Sequence, residues 1–547
     1  MNRKWVVLFI AVMMVATTAC GSNNNADTDK NAGNSQADEA SAGPFTAYKE
    51  PVTFSVAKVI NSKNSGLPAG ETFDDNAYYQ FMEKKFNIKV ENDWLVETPE
   101  AYQQKISLAI STRDLPDVFS VNEQQLKQLV ETEQIADLTS AYETTASPLV
   151  KEVYDSYDDR VLSKATFDGK LMALPSTNIG GEFNLTWIRA DWLEKEGLQP
   201  PKTLDDLIAV AKAFVENDPD GNGKKDTYGF TGVPVLAGLN TNHGFDPILG
   251  ALHAYKGQWM KDASGQIGYS SNFPEMKAAL DKLHQLYADG LIDKEFIVRK
   301  DPNELVAAGQ VGIAFAPWWF PYGALKDSVK NDSKAEWVAF TTPLDKAGKF
   351  NTYDQNPSTN FIVVNKDYKH PEAVVKVLNE MLAIGKNVDP DAADLYKGIV
   401  VDSSALPFSL GVDYEDIVYQ GYLKLKELID SKGESEASGE VQKWYEAWKI
   451  NEESPKKDLS AWSEATARYV GSAVVEASDI NITRSEFFGT TKTMEKKWAI
   501  LQKMENEAFL KIIVGEAPLD SFDQYVADWK SAGGDDIVKE VQEAAKQ

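Results

Sequence analysis

The sequence predicts an α/β protein with a helical C-terminal portion, on three observations. Strand and helix patterns alternate from Val52 to Val121, short apolar runs recur between helices up to Val364, and amphipathic helical stretches dominate from Glu415 onward. In order, Val52-Thr53-Phe54-Ser55-Val56 reads as a strand, Asn76–Lys85 as a helix, Ile88-Lys89-Val90 as a strand, Pro99–Ile110 as a helix and Asp117–Val121 as a strand. That alternation predicts a parallel layer structure. The third strand ends near Asn122, at the carboxyl edge where open α/β sheets bind ligands. Later strands are expected at Leu171–Pro175, Val311–Ala316, Trp337–Thr341 and Phe361–Val364. Between them, Thr203 caps a helix whose first turn carries Asp205 and Asp206 against the positive end of the dipole. Leu204, Leu207, Ile208, Ala211, Phe214 and Val215 form its apolar stripe. The C-terminal amphipathic stretches are Gln442–Ile450, Met494–Leu510 and Phe522–Lys530.

Cys20 is the single cysteine of the 547 residues. Arg3 and Lys4, an apolar run from Trp5 to Ala16 and the small residues Thr17, Thr18 and Ala19 precede it. This order resembles a bacterial lipoprotein signal: residues 1–19 form the signal peptide and Cys20 becomes the lipidated first residue. Thr17 departs from the Leu usual in such signals, and an ordinary secretory signal with an incidental cysteine is the alternative. Residues 20–44, rich in Asn, Asp, Ser, Gly and Ala, read as a disordered tether. The expected location is the extracytoplasmic face of the cell membrane, held by the lipid alone, because the apolar run is too short for a structural span. With Cys20 carrying lipid, no thiol remains for a disulfide or for catalysis. A net charge of −27 argues against nucleic acid and anionic lipid as partners.

Asp218-Pro219-Asp220-Gly221-Asn222-Gly223-Lys224-Lys225-Asp226 places oxygen side chains at positions one, three, five and nine of a loop, with glycine at six. That is the start of an EF-hand-type calcium loop, in which Lys224 contributes its carbonyl. Asp218, Asp220, Asn222, Lys224 and Asp226 are the candidate ligands of a structural Ca2+. Gly229 stands at position twelve, where an EF-hand has a bidentate glutamate, and a metal-free Asp/Asn/Gly turn is the alternative.

The run Thr166–Pro175, the segment Leu185-Thr186-Trp187-Ile188-Arg189-Ala190-Asp191-Trp192-Leu193, and Pro201–Leu207 occur in an order that resembles the family 1 extracellular solute-binding proteins, the lipid-anchored receptors of carbohydrate ABC importers. Gly312-Ile313-Ala314-Phe315-Ala316-Pro317-Trp318-Trp319 is similar to the G-P-W segment of maltose-binding proteins, with Ala316 replacing a glycine. The Asp218–Asp226 loop and the C-terminal run from Ile512 to Gly534 resemble the alginate-binding branch. The resemblance implies a two-lobed periplasmic-binding-protein-like fold with sugar bound in the cleft, a hinge motion, and ABC permease subunits as partners of a monomeric receptor. Residues 45–181 with 353–410 would form the first lobe, and 182–352 with 411–547 the second.

Sugars offer apolar C–H faces to aromatic rings and hydroxyl edges to polar side chains. Trp318, Trp319 and Tyr322 follow a predicted strand, and their match to the G-P-W segment makes one of the two tryptophans the expected stacking ring; if the strand continued, the other would pack inward. Both tryptophans packed in the core is the alternative for large aromatics. Weaker candidates are Trp187, Arg189 and Asp191 at the entry to the second lobe, Asn122 and Glu123 at a strand end, Trp94, Trp259, Asn356 and Ser358. Arg189–Asp191 as a structural pair and Trp187 as core are the competing assignments. An enzyme is not expected: G-x-S-x-G and H-E-x-x-H are absent, and His243, His253, His284 and His370 are scattered. A surface glycoside hydrolase, which needs only two placed carboxylates, and a peptide-binding lipoprotein are the alternative classes.

Overall fold

A computed structural model describes residues 43–397 and 401–546. Cys20, the signal and nearly all of the tether lie outside the described residues. The chain forms two lobes. The first is built on a five-stranded sheet in the order Ile88–Val96, Val52–Val59, Val118–Val121, Phe361–Val364, Leu174–Pro175. The first three strands are parallel, joined through helices Ala77–Phe86 and Pro99–Thr112, as the alternation predicts. Phe361–Val364 returns antiparallel between Val118–Val121 and Leu174–Pro175. Alternating side chains fill opposite layers. Phe54, Val56, Val118, Ile362 and Val364 pack against helices Pro148–Asp155 and Pro371–Gly385. Ala57, Phe119, Val121, Phe361 and Val363 pack under Tyr102, Ile106 and Leu126. Removing these surfaces from water on both faces is the main stabilising term of the lobe.

The second lobe has a three-stranded sheet in the order Ile313–Ala316, Leu185–Arg189, Trp337–Phe340, antiparallel throughout. The central strand Leu185–Arg189 is buried along its whole length, so it shows no alternation for a sequence pattern to reveal. Its residues still divide between two cores: Ile188 joins helices Leu204–Glu216, Pro274–Ala288 and Met494–Ile513, whereas Leu185 and Trp187 face helices Ala324–Asn331 and Leu459–Ala465. The C-terminal helices therefore cover both faces of this sheet. The cap expected at Thr203 forms a reciprocal box: Thr203 Oγ1 accepts from the Asp206 N–H at 3.2 Å, and Asp206 Oδ2 accepts from the Thr203 N–H at 2.9 Å.

Three segments connect the lobes. Thr177–Phe183 leads out of the first sheet, Tyr353–Pro357 leads back, and Gly411–Glu415 leads to the C-terminal helices. They are bonded side by side: Asn178 N–H donates to Pro357 O at 2.9 Å, Thr177 N–H to Gly411 O at 2.8 Å and Gly180 N–H to Glu415 O at 2.7 Å. The strand Phe350–Tyr353 also pairs in parallel with Ile480–Thr483, fastening the return segment to the C-terminal region.

Candidate functional site

The strand Ile313–Ala316 ends before Pro317, and Phe320–Tyr322 forms a single tight turn. Because the strand stops there, Trp318 and Trp319 do not point to opposite sides as strand neighbours would. Both indoles converge on Glu182: Trp318 Nε1–H donates to Oε1 at 3.0 Å and Trp319 Nε1–H to Oε2 at 2.9 Å. Charge-assisted bonds of this kind are the strong class. The two rings differ in what covers them. Trp318 is only 6% exposed, and the Arg468 guanidinium lies 4.7 Å from its ring centre, with Trp444 4.0 Å away on the same guanidinium. Gly471 allows this packing, since a Cβ there would stand 2.4 Å from Trp318 O. Trp319 and Tyr322 are half-buried, and Tyr322 Oη donates to Glu464 at 2.9 Å.

Glu182 also lines a cavity of about 170 Å3 between the crossing segments. The wall is polar. Arg160 reaches in from the first lobe and pairs with Asp354 at 3.3 Å and Glu415 at 2.5 Å, while Arg484 reaches Asp354 at 3.5 Å from the C-terminal region. Burial pushes the Asp354 carboxyl up, against the opposing pull of the two guanidinium groups. Its Oδ1 is buried with no hydrogen-bond partner. Glu182, Arg160, Asp354, Glu415 and Arg484 escaped the sequence reading because no local pattern marks them: they meet through three chain crossings far apart in sequence.

The remaining sequence candidates are dispersed. Trp187 is fully buried, with Nε1–H donated to Pro317 O at 3.2 Å, and presents no face to a ligand. Arg189, 2% exposed, pairs with Asp191 at 2.5 Å and Asp332 at 2.8 Å and lies 4.7 Å from the Trp192 ring. Arg189 and Asp191 are thus bonded to each other, which is the competing assignment made from the sequence. Trp259 is likewise core, tilted against Tyr269 at 5.3 Å and stacked on Trp498 at 6.2 Å. Asn122 is committed to the cap of helix Glu123–Glu131, accepting from the Gln125 N–H at 2.9 Å. Glu123 pairs with Lys127 at 3.0 Å and Lys164 at 3.1 Å. Trp94 is half-buried beside Tyr102, with Lys105 4.6 Å from its ring centre. Asn356 stands beside the cavity, its carbonyl accepting from Asn178 Nδ2 at 2.7 Å, and Ser358 is fully buried beside Ser176.

Behind the tryptophan turn, His243 is buried, its Nε2 3.0 Å from Asn303 Oδ1, its Nδ1 without a partner and its ring edge-on to Phe320 at 5.4 Å. Burial pushes this imidazole down to about 4. The unfolded chain takes up a proton near the ordinary histidine value, about 6.5, while the folded chain stays neutral, so stability falls as pH drops from about 6.5 to about 4. The expected loss is about 3 kcal/mol, visible as a lower urea midpoint, and His243→Gln should flatten that part of the profile.

The loop Asp218–Asp226 follows helix Leu204–Glu216. Lys195 Nζ fastens it by donating to Asp218 O at 3.1 Å and Pro219 O at 2.7 Å. Asp218 Oδ2 accepts from the Gly223 N–H at 2.9 Å. The Asn222 amide donates to Asp220 Oδ2 at 2.7 Å and Asp226 Oδ1 at 3.0 Å, lying between those carboxylates. Lys224 donates its N–H to Asn222 Oδ1 at 2.7 Å. Asp218 Oδ1 is buried and unpartnered. Burial and the neighbouring Asp218 carboxyl push the Asp220 carboxyl up, while the neighbouring Asp220 and the Gly223 N–H hold Asp218 down. Among the described residues, no three acidic, histidine or cysteine side chains are already gathered as metal ligands.

Comparisons with known proteins agree with this architecture. The bacterial extracellular solute-binding protein family matches residues 64–385. Lipoprotein LipO of Bacillus subtilis (strain 168) is 23% identical over 561 residues, covering 99% of this chain and 98% of LipO. Two solved structures share the fold. The alginate-binding protein AlgQ2, determined without calcium ion, is 16% identical with a TM-score of 0.55, over 91% of this chain and 99% of AlgQ2. An EF-hand mutant of the Streptococcus pneumoniae ABC-transporter substrate-binding protein FusA, in complex with fructo-nystose, is 18% identical with a TM-score of 0.55, over 90% of this chain and 99% of FusA.

Proposed function

Since this chain belongs to the bacterial extracellular solute-binding protein family, we propose that it captures an oligosaccharide between its two lobes and hands it to the permease subunits of an ABC importer, without turnover. The observation that carries this is the cavity between the crossing segments, whose wall residue Glu182 holds the paired indoles of Trp318 and Trp319. Half-buried Trp319 is the stacking ring, and Trp318 is its buried support. The carboxylates and amides of the crossing segments suit hydroxyl edges. The proposed division is residues 45–181 with 353–410 for one lobe and 182–352 with 411–547 for the other, so that bending the crossing segments closes the cleft. Titration calorimetry against an oligosaccharide panel, with chromatography of the recovered sugar, tests this. Heat of binding with intact sugar is expected. Cleaved sugar would make it a hydrolase, and binding of peptides alone would make it a peptide receptor.

The receptor is proposed to work as a monomer on the outer face of the membrane, held through lipid on Cys20. No helix among the described residues is long and apolar enough to cross a membrane. Palmitate labelling that disappears in Cys20→Ser is the expected result; equal labelling of the variant would reject the anchor.

A structural Ca2+ in the Asp218–Asp226 loop is part of the same proposal. The buried, unpartnered Asp218 Oδ1, beside the Asp220 and Asp226 carboxylates that share the Asn222 amide, fits a dication. Asp218, Asp220, Asn222 and Asp226 would supply side-chain oxygens and Lys224 its carbonyl. Calcium at a hundredfold excess over its dissociation constant should add about 2.7 kcal/mol of stability. The melting temperature should rise with calcium in the wild type and not in Asp218→Asn, with sugar affinity changing less than stability. An equal rise in both would place the ion elsewhere.

A further inference from the structure

We propose that a row of aromatic rings on the C-terminal helices, Tyr419, Tyr422, Tyr469 and Trp448, is a second sugar-stacking site, which takes the part of a long oligosaccharide that extends beyond the tryptophan turn; this deepens the sugar-receptor proposal and rests on it. Tyr419 and Tyr422 stand one turn apart on helix Ile417–Asp430, Trp448 on helix Gly439–Glu453, and Tyr469 on the short helical segment Thr466–Gly471. Ring centres are 5.7 Å apart from Tyr419 to Tyr422, 5.8 Å from Tyr422 to Tyr469 and 6.4 Å from Tyr469 to Trp448. At such separations the rings are offset or tilted, and all four are half-buried, so each leaves part of its surface uncovered. Trp448 and Tyr469 rest on a small apolar cluster that includes Leu425, Leu428 and Trp444, which holds the row in place. Core tyrosines of this protein commit their hydroxyls, as Tyr154 does to Pro175 O at 2.7 Å and Tyr269 to Glu505 at 2.6 Å. Among the described residues, no such bond ties down Tyr419, Tyr422 or Tyr469.

The row is continuous with the site already described. Arg468 precedes Tyr469 in the chain, and its guanidinium lies 4.7 Å from the Trp318 ring centre and 4.0 Å from that of Trp444, one helical turn before Trp448. At the other end, Tyr419 follows Glu415, which lines the cavity; none of the four rings lines it. A sugar chain held at Trp319 therefore meets further faces of the same kind as it leaves the cavity. Charged pairs flank these faces: Lys426 with Asp430, one turn beyond Tyr422, and Arg468 with Glu464 at 3.3 Å. Each pair supplies N–H donors beside carboxylate acceptors, and a sugar hydroxyl both donates and accepts. Flat rings beside such pairs match a chain of apolar faces and hydroxyl edges.

The test is calorimetric titration of the full mature protein with linear oligosaccharides of two to six residues, cut from starch, cellulose, xylan, fructan and polygalacturonan. In the series that binds, affinity is expected to rise about tenfold or more from disaccharide to hexasaccharide, as added residues reach added rings. Trp448→Leu and Tyr422→Leu keep apolar bulk and remove the flat ring. Both are expected to lose most of that gain and to bind the disaccharide as the wild type does, whereas Tyr422→Phe keeps the gain. Circular dichroism and melting check that each variant is folded. A second measurement needs no variant: the hexasaccharide, and not the disaccharide, should protect Trp448 from hydroxyl-radical oxidation in the wild type. Affinity that does not rise with length, a rise that both Leu variants retain, or an unprotected Trp448 overturns the second site and leaves the receptor proposal standing. Unchanged sugar affinity in Leu variants that no longer support uptake by cells overturns it too, and makes the row a permease contact. Binding of no sugar from any series overturns the receptor proposal and this site together.

Discussion

Trp319→Ala should weaken oligosaccharide binding while leaving the fold intact, and Trp318→Ala should do the reverse. Trp319 is half-buried at a strand end, so its removal leaves little cavity behind, but it takes away an aromatic face and costs about 1–3 kcal/mol of binding. That is roughly a tenfold or greater rise in dissociation constant. Trp318 is 6% exposed and stacked on Arg468. Its loss should cost about 3–5 kcal/mol of stability, the range for large buried aromatics. Thermal melting and calorimetric titration of both variants provide the comparison. If both melt far below the wild type, Trp319 is core as well; if both keep wild-type melting and affinity, the sugar lies elsewhere.

Arg189→Ala should be the most damaging of the changes considered, and damaging only to stability. Its guanidinium is buried, bonds two aspartates and lies against Trp192. Deleting this large buried side chain should cost about 3–5 kcal/mol, through the cavity and the packing lost on the Trp192 ring, while the two partly exposed aspartates it leaves are rehydrated. Denaturant unfolding should show a lower midpoint with little change in slope. Sugar affinity measured at low temperature, where the variant remains folded, should match the wild type. A selective loss of affinity at unchanged stability would return Arg189 to the ligand site.

The first-lobe strands, and the start of one second-lobe helix, were legible because each carries its own local cause. Val52–Val59 and Val118–Val121 are short β-rich runs separated by helices, and Thr203 and Asp206 supply the chemistry of a helix start within four residues. The strand Leu185–Arg189 was invisible as a strand because both its faces are buried, which erases the alternation that periodicity detects. For the same reason, the sequence left ligand contact and core open as alternatives for Trp187 and Arg189, both of which are buried.

What the sequence determined by itself was the class of fold, the order of the first-lobe strands and helices, the oxygen-rich loop at Asp218–Asp226 and the place of the tryptophans at a strand end, all set by interactions within a few residues. Only the tertiary structure decided which aromatic ring is covered and which carboxylates share a cavity. Arg468 stacks on Trp318, Glu182 accepts from both indoles, and Arg160, Asp354, Glu415 and Arg484 meet across the crossing segments. Burial and pairing are properties of the partner as much as of the residue, and these partners are brought together only when distant parts of the chain pack.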